Sequence, residues 1–187
     1  MRWLTLYARS RHVPVVVAPL LLSVVLTWWF AEDKWTPFAA TLGLGLAVVF
    51  AASGLSGQDI DLDRTAGFSW FPRRLAHLLL IGVVAAGVML AVQEAGDVQV
   101  ESALIVRDTA GLLGLAGLAA VLFGGQFGWT LPLGWTMLGL GTPDEPETLN
   151  RVFTWLRLPA DDALSWWLAG VLFVLGAGGY AMAGARR

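Results

Sequence analysis

Of the 187 residues, 57% are hydrophobic and only 14% charged, and the mean hydropathy is +0.67. A water-soluble domain carries roughly 45–50% apolar and about 25% charged residues, so this chain lacks the polar surface to stand alone in water and reads as an all-α, polytopic membrane protein. The net charge of -2 excludes nucleic acid as a partner, since phosphate binding needs clustered Lys and Arg, and the absence of cysteine excludes disulfides, thiolate metal sites and cysteine nucleophiles.

At the N-terminus, Trp3, Leu6, Tyr7 and Ser10 share one helical face while Arg2, Thr5 and Arg9 share another. That pattern predicts a short helix lying in the membrane interface, with a plain basic tail as the alternative. The first apolar run covers 13–30. Trp28, Trp29 and Phe30 stand where a signal-peptide cleavage site would need small residues, so the run is read as a retained span. Further spans are expected at 37–54, 75–92, 106–123, 126–141 and 164–184, near the ~20 residues that cross a hydrocarbon core of ~30 Å. The stretch from Thr109 to Thr142 carries no charge, and Gly124-Gly125-Gln126-Phe127-Gly128 marks a tight helical hairpin within it. Its second arm contains Pro132 and is short, which leaves a re-entrant segment as the alternative.

Six spans make residues 1–187 a single transmembrane domain, with a loop at 55–74 and a longer segment at 142–163 on the opposite side. With the N-terminus inside, Arg2, Arg9, Arg11, Arg64, Arg73, Arg74, Arg186 and Arg187 are cytoplasmic, against Lys34, Arg107, Arg151 and Arg157 outside. Eight basic residues to four predict both termini in the cytoplasm, in an inner (cytoplasmic) membrane.

Small residues line the spans. Ala39, Gly43, Ala47 and Ala51 recur every four residues, and Gly111, Gly114, Gly117 and Ala120 every three, with Ala177, Ala181 and Ala185 in the last span. Such stripes let helices approach closely, either within the chain or between subunits.

Candidate chemistry is sparse. Asp59-Ile60-Asp61-Leu62-Asp63 resembles the opening of a calcium loop, but Arg64 replaces the required glycine and Trp70 the closing glutamate. What remains is an acidic strip with interleaved apolar residues, suited to docking a partner or anchoring the next span. Arg107 and Asp108 are expected at the lip of the fourth span, where their charges cost little; together with Gln126 they are the candidates for a polar path. No G-x-x-x-x-G-K-[ST] or H-E-x-x-H sequence occurs, and neither His12 nor His77 has companions for a metal site. No predicted span has Asp or Glu at its centre, as ion-coupled carriers usually do, so the energy for any transport is assigned to a partner.

This layout resembles the small permease subunits of ABC-2-type exporters, particularly the short Gly-, Ala-, Leu- and Arg-rich versions of actinobacteria. The resemblance rests on the basic N-terminus, the six spans, and the local motifs Asp63-Arg64-Thr65-Ala66, Pro72-Arg73-Arg74, Arg107-Asp108-Thr109-Ala110-Gly111-Leu112 and Leu158-Pro159-Ala160-Asp161-Asp162 before Trp166-Trp167. It implies that Gln58 to Trp70, including Asp59, Ile60, Asp61, Leu62, Asp63, Arg64 and Trp70, is an ATPase-coupling loop. It further implies that the outer re-entrant helices of such permeases are reduced here to 147–158. The expected partners are an ABC ATPase subunit that binds ATP and Mg, a second or homologous permease copy, and the lipid bilayer; this chain itself would hold no cofactor and perform no catalysis. The alternative is a non-transporting anchor, assembly or immunity subunit that binds a partner through the outer segment from Pro143 to Ser165, with Phe153, Trp155 and Leu156.

Overall fold

The computed structural model describes residues 36–52, 71–94, 99–143 and 147–186, with Val25, Trp29, Leu55 and Gly96 besides. The interfacial helix, the rest of the first span and the coupling-loop residues Asp59, Ile60, Asp61, Leu62, Asp63, Arg64 and Trp70 lie outside the described residues.

Every element among the described residues is helical. Helix α1 (Pro37–Ala52) begins with proline, whose missing N–H would be unsatisfied there anyway, and Thr36 Oγ1 accepts the Ala39 N–H at 3.2 Å. Helix α2 (Phe71–Gln93) likewise carries Pro72 in its first turn, and at its end the Gln93 side chain accepts the Val100 N–H at 3.3 Å, turning the chain toward the next helix. Helix α3 (Ser102–Phe123) stops at Gly124, whose φ of 105° is a backbone state that a side chain disfavours. A single 3₁₀ turn (Gly125–Phe127) then leads into α4 (Thr130–Gly141). After α4 come the short α5 (Thr148–Phe153), a 3₁₀ turn (Trp155–Arg157) and α6 (Ala163–Ala183). Asp162 caps α6 by accepting the Ser165 N–H at 2.9 Å.

Helices α2, α3 and α6 are long and apolar enough to cross a membrane. At 23, 22 and 21 residues they reach ~31–35 Å, against a core of ~30 Å. The expected span 37–54 is the shorter α1, and the expected 126–141 becomes a 3₁₀ turn followed by α4. That helix has 12 residues, hence a length of only ~18 Å.

Helix α3 is the centre of the bundle and is buried along most of its length, whereas α2 and α6 each leave a broad apolar face uncovered. The helix pair α3 and α6 runs parallel. A Cβ added to Gly114 would overlap the backbone of Leu172 and Phe173, and one added to Gly117 would overlap the Gly176 carbonyl, so the two backbones touch directly. Helix α1 packs on α2, α3 and α4 through Gly43, Ala47 and Ala51, all buried, and half-buried Ala39. Most residues of the small-residue stripes are buried among the chain's own helices, with Ala39 and Ala185 partly open. Gly111 is different: its neighbour is the indole of Trp155, not another long helix.

Two ends of the bundle can be told apart. At one, α3 and α6 begin, and residues 155–159 lie against the start of α3. At the other, the chain after α6 returns to α3, the Arg186 N–H donating to the Ala120 carbonyl at 3.0 Å.

Candidate functional site

The one strongly polar centre in the interior of the described bundle is built around Arg107. It sits in the second turn of α3 and is fully enclosed, as is Asp108 beside it. Its Nε donates to Asp108 Oδ1 at 2.8 Å, and Nη2 lies 2.8 Å from the same oxygen. Nη1 donates to the carbonyls of Leu158 at 3.0 Å and Pro159 at 2.8 Å and to Ser165 Oγ at 2.8 Å, while Nη2 also reaches the Leu156 carbonyl at 3.4 Å. A guanidinium has five N–H donors in a planar fork, and here each nitrogen faces an oxygen. The fork therefore gathers three backbone carbonyls of one turn, the start of α6 and its own helix into a single knot.

Around the knot the remaining bonds run in the same sense. Thr41 Oγ1 in α1 donates to the Leu156 carbonyl at 3.1 Å. Ser165 Oγ donates to the Asp162 carbonyl at 2.8 Å, and Arg151 pairs with Asp162 Oδ2, tying α5 to the α6 cap. Trp166 Nε1 donates to the Ala160 carbonyl at 2.7 Å, and Arg157 Nη2 to the Thr142 carbonyl at 2.8 Å. Partial burial pushes the Asp162 carboxyl up, but the Ser165 N–H, then Arg151 and, more distantly, Arg107 outweigh it and hold the group below its ordinary value. Enclosing a charge pair is costly unless the geometry is good and the remaining hydrogen-bonding capacity is filled. Arg107 meets that condition; Asp108 meets it on one side only, because its Oδ2 is enclosed with no hydrogen-bond partner. Trp155 Nε1 and Thr109 Oγ1 are in the same position.

These positions correct several expectations. Arg107 and Asp108 do not line an open lip: α3 starts at Ser102, a turn earlier than expected, both residues are fully enclosed, and the carbonyls of Leu156, Leu158 and Pro159 lie on the Arg107 fork. Gln126 does not join them. It is exposed in the turn beyond the far end of α3, and the sixteen steps of helix from Arg107 to Phe123 alone separate the two places by ~24 Å, so these three residues do not come together. Trp155 and Leu156 are fully buried and Phe153 is half-buried against the Trp135 ring, at 6.1 Å between centroids. The side chains of Trp155 and Leu156 are therefore not available to a partner, whereas Phe153 remains partly open.

Ser165 and the carbonyls of Leu156, Leu158 and Pro159 escaped the sequence reading. Asp162-Ala163-Leu164-Ser165 before an apolar run is a helix-start pattern, and it was the available signal for Ser165. The backbone carbonyls carry no signal in side-chain identity. Among the described residues no group of three metal-ligating side chains comes together. Comparisons with protein-family models, with curated proteins and with solved structures find no match to this chain.

Proposed function

We propose that the chain is the transmembrane permease subunit of an ATP-binding cassette exporter in the cytoplasmic membrane, moving its substrate with ATP hydrolysed by a separate subunit and acting beside a second or homologous permease copy. One observation carries the reading beyond the resemblance in sequence. Immediately before the last long helix, the chain forms two short helical pieces, Thr148–Phe153 at the surface and Trp155–Arg157, whose Trp155 and Leu156 are buried in the bundle. The resemblance implies reduced re-entrant helices at 147–158, the same place. The burial of Trp155 and Leu156 takes these two side chains out of any partner-binding surface on the same segment.

In this reading the α1 small-residue face packs against its neighbours in two arrangements while the α3–α6 contact stays fixed, and the ATPase subunit biases the equilibrium between them through its differential affinity for each. The docking contact is assigned to Ile60 and Leu62. Expression of the tagged chain with the genes that flank its own should yield a stoichiometric complex with an ATPase whose rate the permease alters. Ile60→Asp with Leu62→Asp should abolish that effect and leave membrane insertion intact. A chain that purifies alone or with a protein lacking ATPase activity, or a double variant with normal coupling, overturns the proposal.

A further inference from the structure

Residues Thr154–Pro159 lie across the end of the bundle where α3 begins, and their attachment is uneven. In the middle, the Trp155 indole occupies the slot above Gly111, Leu156 is fully enclosed, and the Arg107 fork grips three carbonyls of the turn. The flanks are shallower: α5 buries none of its residues and Asp161 is exposed, with the small Ala160 side chain the one buried apolar group between Pro159 and Asp162. The segment is thus held chiefly by a central plug and a polar grip.

Two enclosed polar atoms make the seated arrangement unusual. Trp155 Nε1 belongs to the plug and Asp108 Oδ2 to the residue that braces the grip, and neither has a hydrogen-bond partner. Buried polar groups are almost always paired, and an unpaired one favours any arrangement that brings water to it. The grip itself consists of N–H donors on backbone carbonyls, bonds that water can replace one at a time. The floor beneath is of another kind. There α3 and α6 touch backbone to backbone at Gly114, Gly117 and Gly176, and the Arg186 N–H ties them at the far end. No water-for-carbonyl exchange separates a contact of that sort.

We infer that Thr154–Pro159 is a lid latched by Arg107. It opens as a unit on a fixed α3–α6 floor, withdraws Trp155 from the Gly111 slot and admits water to Asp108. Arg107 acts as a positioning residue, setting how often the lid opens.

The absence of cysteine from the chain allows a direct test with single-cysteine variants in lipid nanodiscs, labelled by a charged, membrane-impermeant maleimide and followed by mass. Leu149→Cys reports the exposed flank, Leu156→Cys the lid and Ala116→Cys the buried floor. The expected order is Leu149→Cys fastest, Leu156→Cys at least tenfold slower, and Ala116→Cys at least tenfold slower again. Ser165→Ala removes one acceptor of the Arg107 fork without stranding a charge, and should speed labelling at position 156 at least threefold while leaving position 116 unchanged. Arg107→Gln should do the same more strongly where it folds; the Ser165→Ala result decides where it does not. Equal rates at 156 and 116, equal rates at 156 and 149, or a Ser165→Ala effect that is absent or shared by position 116 would each overturn the lid. None of these measurements needs an ATPase, so the lid and the permease reading fail separately.

Discussion

Gly114→Ala places a single methyl group where α3 and α6 are closest. The added carbon would overlap the Leu172 carbonyl group and the Phe173 nitrogen, all backbone atoms. Overpacking a tight interior costs ~1–3 kcal/mol, and because no side chain can rotate away here the upper end applies. An alanine is favoured over glycine in a helix by ~0.5–1 kcal/mol in water, which offsets part of the clash. A net loss of ~2 kcal/mol remains, roughly a thirtyfold fall in the folded-to-unfolded ratio. Two substitutions bracket the effect. A Cβ at Gly178, on the same helix as the obstacle, meets nothing within 4 Å, so Gly178→Ala should be neutral or slightly stabilising. At Gly82 the obstacle is the Leu113 side chain, which can turn aside, so Gly82→Ala should fall between the two. Steric trapping of each variant in bicelles measures the difference. A Gly114→Ala protein as stable as Gly178→Ala would refute direct backbone contact between the two helices.

Trp155→Phe keeps an aromatic plug over Gly111 and deletes the unpartnered indole N–H, so it should stay within ~1 kcal/mol of the parent, whereas Trp155→Ala should lose ~3–5 kcal/mol; the same unfolding assay separates them. The carboxyl of Asp162 titrates lower in the fold than its ordinary value, so its contribution is fully present above the unfolded pKa of ~3.9 and is lost as the pH falls below that through the folded value. Stability measured from pH 7 downward should therefore lose a component only below about pH 4, and Asp162→Asn should remove that component; an unchanged acid profile in the variant would show that the Arg151 pair and the α6 cap do not depend on the charge.

Much of the long-helix framework is legible in the chain because its signals are local. Pro37 and Pro72 in first turns, Gly124 at a stop and Asp162 at a start each act within a few residues, and the spacing of Gly114, Gly117 and Ala177 announces faces that can approach closely. The segment 142–163 is not legible in this way. Phe153, Trp155 and Leu156 stand among Arg151, Arg157, Asp161 and Asp162, a mixture that reads as an amphipathic surface segment. Their placement depends on partners far away in the chain: Trp135 beside Phe153, Gly111 beneath Trp155, and Arg107, about fifty positions before Leu156, whose demand for oxygen is met by main-chain carbonyls that any sequence would supply. Gln126 shows the converse. A polar residue in an apolar stretch looks significant until the helix geometry puts it at the opposite end of the bundle.

The distance along the chain between Arg107 and its acceptors also bears on how the protein is made. Leu156, Leu158, Pro159 and Ser165 follow Arg107 by 49, 51, 52 and 58 positions. At ribosomal speeds of about 5–20 residues per second, the arginine emerges several seconds before the oxygens that will surround it exist. Of the oxygens that meet the Arg107 fork, only that of Asp108 exists through that interval, adjacent in the chain and made with it. The knot that closes this end of the bundle is therefore completed only once the start of α6 has been made, which makes it one of the last parts of the described fold to come together.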